Sequence, residues 1–332
     1  MKALVLHSPG NARVEEMPTP SPPPGWVRIR VREAGICGTD KAFYRGSYAP
    51  GKLPIILGHE FAGVVDAVGE GVDESIIGEE VTAEINVSCG ECWFCRNGLK
   101  TQCPRRRAVG IDLDGGIAEY VIVPAENIHS VRGLTPLQAC MVEPLAAVLE
   151  SVQLAPPKPW FKAAVIGSGT VGLLSLQVLK LAGLEVVTIT RPGSPKARLA
   201  ERLGADEVID CEHVAEYVKR HTREGMGFDY VVEASGNPSG LELALSIVRP
   251  RGIIVGKSTH GRSVNMDYTS LVVKEVSLIG TRCGPFKPAI RLLKRGLVRV
   301  EELVTSTYDL GSAEEALKSS FRREEVKVHV KC

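Results

Sequence analysis

Two hydrophobic rhythms divide the chain. From Lys2 to about Met141, short β segments are broken by Gly and Pro: Lys2–His7, Trp26–Arg32, Phe61–Val68, Val81–Glu84 and Glu119–Val123. A two-residue period sends alternate side chains to opposite faces, so Trp26–Arg32 reads as a half-buried strand. Along Trp26–Arg32 apolar residues alternate with arginines, and the arginine row reads as the solvated face. The proline-rich stretch Pro18–Gly25 fits neither a helix interior nor a central strand and is expected to be an extended surface connection. Helical signals begin at Thr135-Pro136, the N-cap and first helical position. A second helix is expected from about Glu143 to Leu154, where Ala155-Pro156-Pro157-Lys158-Pro159 ends it.

From Lys162 to about Gly280 strand and helix patterns alternate. Strands are expected at Ala163–Ile166, Glu185–Thr190, Glu207–Ile209, Tyr230–Glu233, Ile253–Val255 and Val276–Gly280. Helices are expected at Leu173–Leu181, Ser194–Leu203 with Ser194 as N-cap, Val214–Thr222 and Ser239–Val248. This rhythm predicts an α/β fold with a doubly wound parallel sheet that binds its ligand at the carboxyl ends of the strands. Beyond Cys283 come a helix, Pro288–Arg295, and two alternating segments, Val304–Tyr308 and Val326–Val330, so the tail is expected to return to the first domain.

Composition narrows the function. The 332 residues are 44% hydrophobic and 24% charged, with a net charge of +1. That is long enough for two cores and gives no reason to expect nucleic acid or an anionic membrane as partner. The apolar run at Met1–His7 is too short for a signal-peptide core and no stretch approaches a membrane span, so a cytoplasmic protein is expected. Nine cysteines, four of them bunched, suggest metal binding in a reducing compartment.

Three constellations carry chemistry. Gly167-Ser168-Gly169-Thr170-Val171-Gly172 lies between a strand and a helix. Gly167 permits the turn, Gly169 admits a pyrophosphate to the backbone and Gly172 lets helix and strand pack closely. The helix N-terminus then faces the phosphates. Ala234 and Ser235, after the fourth strand, are grouped with these cofactor residues. Cys89, Cys92, Cys95 and Cys103 place four soft donors on one loop, which suits a closed, structural tetrahedral Zn²⁺; a redox Cys-x-x-Cys or disulfides are the competing readings. The third set is dispersed: Cys37 in Gly35-Ile36-Cys37-Gly38-Thr39-Asp40, His59-Glu60 after Gly58, and Glu143 before Pro144-Leu145. Taken singly, these also suit a core cysteine, a hydrogen-bonded histidine and the acidic first turn of a helix.

In this order, the motifs resemble the zinc-dependent medium-chain dehydrogenase/reductase family over essentially the whole chain. The resemblance implies a GroES-like, mainly β catalytic domain, residues 1–147 and 283–332, split around a Rossmann domain, residues 148–282. It implies a catalytic Zn²⁺ on Cys37 and His59, with Glu60 or Glu143 completing the set, and a structural Zn²⁺ on Cys89, Cys92, Cys95 and Cys103. Where alcohol dehydrogenases of the family carry a third cysteine ligand, this chain has Glu143, as polyol, threonine and glucose dehydrogenases do; Cys140, one helical turn earlier, is a possible substitute. Many relatives carry a proton-relaying His where this chain has Ala42, so the usual relay stops after Thr39. Zinc would acidify the substrate hydroxyl, Thr39 would take its proton, Glu60 would act as ligand or base, and hydride would pass to the nicotinamide.

At the ribose end an NAD enzyme has an acid, and here Arg191 stands in its place. Arg191, with Thr190 and Ser194 as donors and Lys196 matching a family lysine, can grip a 2′-phosphate, so NADP is expected over NAD. The expected activity is alcohol, polyol or sugar oxidoreduction on a small-molecule substrate. The alternatives are threonine dehydrogenase-like amino-alcohol oxidation and a non-catalytic nucleotide-binding protein. Substrate contacts are expected from Lys41–Tyr48, Val109–Asp114 and the region after Thr281. The family forms dimers and tetramers, often through the last Rossmann strand, here near Val276–Gly280, so a homodimer or homotetramer is expected.

Overall fold

The computed structural model describes Met1–Cys332, which fall into two compact units. One comprises Met1–Glu143, Ala289–Lys294 and Val304–Cys332; the other comprises Pro144–Pro288 and Arg295–Leu303.

The first unit is built on an eleven-residue strand, Trp26–Ile36. In space the sheet runs Ile128–Ser130, Glu80–Ala83, Glu60–Val68, Trp26–Ile36, Lys327–Lys331, Val304–Asp309, with Tyr120–Pro124 also paired to Trp26–Ile36. The central strand outruns the alternating pattern that announces it, because the strand Lys327–Lys331 covers its second half from Glu33 to Ile36. That register puts Gly35 opposite Glu60 on one side and opposite His329 on the other. A smaller sheet joins Asn11–Glu16, Lys2–Ser8 and Ile55–Ile56. Phe43, Leu57, Phe61, Ile117 and Val330 are buried in the core of this unit. The arginine row is solvated at Arg30 and Arg32. Arg28 departs from that expectation: it is half-buried, forks onto Asp66 with two bonds of 2.9 Å and lies over the Tyr120 ring.

The second unit holds six parallel strands in the order Glu207–Asp210, Glu185–Thr190, Lys162–Ile166, Phe228–Glu233, Val248–Gly256, Ser277–Gly280. This is the doubly wound sheet expected from the alternating pattern, and its strand order reverses between Lys162–Ile166 and Phe228–Glu233, where such sheets bind ligands. Ala164, Val187, Val231 and Ile254 are fully buried, as strands covered on both faces require. The fifth strand starts earlier than expected, at Val248, the helix Tyr268–Val273 was not expected, and one helix start differs. The third helix of this unit runs Ala197–Arg202 with Lys196 as N-cap, and Ser194 lies before it. The Ser194 N–H closes a turn onto the Arg191 carbonyl at 3.1 Å, and its Oγ accepts from the Lys196 N–H at 3.3 Å. Ser194 therefore caps the turn that leads into the helix, and the helix itself starts three residues later.

Candidate metal centres and cofactor site

The four-cysteine loop is the simpler centre. Its thiols are all free, and the four sulfurs lie within 4.8 Å of one another. Sγ–Sγ distances are 3.5 Å for Cys92–Cys95, 3.5 Å for Cys103–Cys89 and 3.9 Å for Cys89–Cys95. A Zn²⁺ holding four thiolates at about 2.3 Å has tetrahedral edges of about 3.8 Å, so the cage fits that ion. The Glu91 backbone N–H, joined by that of Cys92, holds the Cys89 thiol down to about 6, which favours the thiolate a metal needs. Free thiols at these spacings do not support the disulfide reading.

The dispersed residues also converge. Cys37 caps the helix Gly38–Arg45, His59 ends the segment after Ile55–Ile56, and Glu60 opens the strand Glu60–Val68. The ligand atoms of Cys37, His59 and Glu60 lie within 4.8 Å of one another. Asp40, fully buried, fixes this cluster: one oxygen accepts from the Cys37 N–H at 2.8 Å, while the other accepts from the Gly58 N–H at 3.2 Å and lies 3.8 Å from His59 Nδ1. Asp40 supplies the side-chain bond at this helix start. Burial by itself would lower the His59 pKa, but Cys37 and Asp40 beside it raise it well above the ordinary value. His59 Nδ1 is buried without a hydrogen-bond partner. A buried, unsatisfied imidazole beside a thiol and a carboxylate is a donor set suited to Zn²⁺.

The two carboxylates differ. Glu60 is buried in an ion pair with Lys327, whose ammonium also donates to the Ile36 carbonyl at 3.2 Å. Burial would raise the Glu60 pKa, and Lys327 together with His59 more than offsets this. Glu143 opens the helix Val142–Leu154, buried and near enough to His59 to raise its proton affinity, but it is outside the close triplet. Cys140 donates to the Glu60 carbonyl at 3.4 Å, and burial pushes its thiol pKa well up, a poor setting for a metal thiolate. At Gly35 any Cβ would overlap the Glu60 carboxylate, so the motif's first glycine makes room for that group.

Sequence reasoning missed Lys327 and the assignment of Asp40. Lys327-Val-His-Val-Lys331 alternates like an ordinary strand with a polar outer face. In the fold Lys327 and His329 are buried, and His329 Nδ1 meets Glu33 at 2.7 Å. The available signal was a strand of the tail in which every polar residue is ionisable.

The glycine turn has the geometry its spacing implies. Gly167 has φ +104°, Gly172 has no room for a Cβ against the Gly167 carbonyl, and a Cβ on Gly169 would stand in open space. Gly169 caps the helix Thr170–Leu181 without a side-chain bond. Backbone open to approach at a helix N-terminus is what a pyrophosphate requires. Ser168, Thr170 and Val171 complete this turn. At the end of the next strand in space, Thr190 donates to Asp210 at 3.4 Å, and Arg191 is exposed on the turn that Ser194 closes. Lys196 follows as the helix N-cap. Ala234 and Ser235 follow the fourth strand of this chain order, with the Ala234 N–H donating to the Ile166 carbonyl at 2.9 Å.

Comparison with known proteins agrees with this chemistry. Residues 23–133 match the alcohol dehydrogenase GroES-like domain and residues 170–295 the zinc-binding dehydrogenase domain. A sorbitol dehydrogenase of Halalkalibacterium halodurans is 33% identical over 340 residues, 99% of this chain and 98% of the relative. A zinc-binding dehydrogenase of Sinorhizobium meliloti 1021, solved bound to NADP, is 31% identical with a TM-score of 0.91, covering 100% of this chain and 99% of that one. An alcohol dehydrogenase of Escherichia coli CFT073, solved with NADH, is 30% identical with a TM-score of 0.91 over the same shares. No helix is long and apolar enough to cross a membrane. With likeness of this degree along its whole length, the chain belongs to the zinc-dependent medium-chain dehydrogenase/reductase family of NAD(P)-linked oxidoreductases.

Proposed function

We propose that this protein oxidises a secondary hydroxyl of a polyol or sugar, and the reverse, with NADP as the preferred acceptor. The observation that carries this reading is the buried Cys37–His59–Glu60 cluster backed by Asp40. Cys37 and His59, with Glu143 or Glu60, would hold a Zn²⁺ that would supply Lewis acidity toward the substrate hydroxyl, and a bound NADP would supply the hydride acceptor. Asp40 holds Cys37 and His59 in place. Lys327 keeps Glu60 ionised and drawn toward the ammonium, so Glu143 is the better candidate for the third ligand and Glu60 for proton exchange. Thr39, half-buried on the first turn of its helix, accepts the substrate proton; with Ala42 next along that helix the proton leaves by another route.

The preference for NADP rests on Arg191, exposed beside Thr190, Ser194 and Lys196, where a 2′-phosphate can be gripped. Likeness to a sorbitol dehydrogenase supports a polyol substrate. Tyr268, Val272, Val273 and Leu278 are exposed around the sheet's last strand, Ser277–Gly280, whose outer edge is unpaired within the chain. That apolar edge supports a homodimer. The free thiols fit a reducing, cytoplasmic setting.

A panel of polyols, sugars, alkanols and amino alcohols, each assayed with NADP and NAD, tests the assignment. Turnover of polyols that stops on zinc chelation is expected; preferential oxidation of an amino alcohol would move the assignment to the threonine dehydrogenase type.

A further inference from the structure

The carboxyl ends of the last three strands of the parallel sheet are tied together by two ionisable side chains that the motifs do not mention. Glu233 ends the strand Phe228–Glu233 and is 4% exposed. Its Oε1 accepts from the Ser235 N–H at 2.9 Å, the Ser235 hydroxyl at 2.6 Å and the Ser258 hydroxyl at 3.0 Å. Ser258 Oγ in turn accepts from the Gly236 N–H at 2.9 Å. One carboxylate oxygen therefore joins the loop after the fourth strand to the loop after the fifth. Gly240 belongs to the same arrangement, because a Cβ there would overlap Glu233 Oε1 and Ser235 Oγ. This explains a glycine inside the helix Ser239–Ile247, where glycine weakens the helix.

Lys257 makes the matching link from the fifth strand to the sixth. Its backbone N–H donates to the Glu233 carbonyl at 2.9 Å. Its ammonium donates to Thr281 Oγ1 at 2.8 Å, the Thr281 carbonyl at 3.2 Å and the Ala147 carbonyl at 2.7 Å. Thr281 is fixed again by Ser151 at 3.0 Å. The two side chains thus fasten Ser235–Gly236, Ser258 and Thr281 into one surface at the ligand-binding ends of these strands.

A doubly wound sheet is two mononucleotide-binding halves. The glycine turn and Arg191 belong to the first half, which takes the adenosine end. We propose that Glu233 and Lys257 are positioning residues for the second half, holding the strand-end loops in the one arrangement that receives the nicotinamide ribose. Loops at sheet ends are mobile by default, and charge-assisted bonds of this kind supply the preorganisation that a loosely held loop lacks. The inference rests on the assignment of this sheet as the dinucleotide site.

The test uses the full-length enzyme and three probes: NADPH and NADH, followed by fluorescence titration, and 2′,5′-ADP, which occupies the adenosine half alone. Glu233→Ala and Lys257→Met are each expected to weaken dinucleotide binding by about tenfold, the loss that follows from leaving buried donors and acceptors unpaired. Binding of 2′,5′-ADP should stay within about twofold of wild type, and Glu233→Gln, which keeps the accepting oxygen, should recover dinucleotide binding. Unchanged dinucleotide affinity overturns the proposal. So does a parallel loss of 2′,5′-ADP and dinucleotide binding, which marks general damage to the sheet. A wild-type protein that bound no dinucleotide would instead overturn the cofactor assignment itself.

Discussion

The two candidate metal centres of the first unit are assembled in opposite ways. In the loop from Cys89 to Cys103 one short segment supplies every donor, and the donors are alike. Around Cys37 and His59 the donors differ in kind, come from separate elements, and are backed by Asp40 and Lys327. Four thiolates at tetrahedral spacing saturate an ion and leave it nothing to do but hold chain together. The mixed cluster instead sets a carboxylate engaged by an ammonium beside the candidate metal ligands, so one charged group there is left for proton exchange. The difference separates a fastening from a reaction centre.

Variants that cross the two centres probe this directly. The largest effect is expected for Cys37→Ser, which should lower kcat/KM at least about 1,000-fold through loss of Lewis-acid stabilisation, while the melting temperature and NADPH affinity change little. Cys103→Ser should do the reverse: a melting temperature lower by about 10 °C or more with kcat per folded molecule retained, since the metal there contributes to folding. If Cys103→Ser cost activity without stability, the division of labour between the centres would fail.

Lys327→Met sharpens the comparison from behind the cluster. Freed of its ammonium, Glu60 should rise in pKa and shift the acidic limb of the rate profile upward, with turnover lower by about 10- to 100-fold. An unchanged profile would separate Lys327 from the chemistry. Away from both metals, Arg191→Ala should cut kcat/KM for NADP by about tenfold and leave that for NAD nearly unchanged. The smallest effect concerns the metal-free protein. Cys37 and Asp40 raise the His59 pKa despite burial, so the proton on His59 stabilises the fold at pH values below about 6.5, its ordinary value. That contribution is lost as pH rises through the raised value, and thermal melts of chelated protein across this range should show a declining stability that zinc reverses.

The same contrast governs what could be read without coordinates. Contiguous features were legible: the glycine turn, the four-cysteine loop and the six-strand alternation each depend on spacing along the chain, and the fold has them where spacing puts them. Cys37, His59 and Glu60 were marked by motif resemblance, since no local pattern brings distant segments together. Lys327 was hidden because period-two alternation cannot say whether the polar face of a strand meets water or a buried acid. Ser194 was placed as the helix cap because its Oγ does accept from the N–H two residues on, as a cap would, but the residues between form a turn and the helix itself starts at Ala197.

The strand that brings Lys327 also carries a consequence for how the protein is made. Synthesis runs from the N-terminus, and Glu60 is in place hundreds of residues before its counter-ion leaves the ribosome. Until Lys327–Lys331 docks beside Trp26–Ile36, Glu60 lacks the ammonium it meets in the fold, and the central strand is unpaired on that side from Glu33 to Ile36. The second unit, drawn from the middle of the chain, has all its strands by Gly280 and is free to fold first. The surroundings of Glu60 are therefore complete only once Lys327–Lys331 is made, whereas the four-cysteine loop has all its donors as soon as Cys103 is.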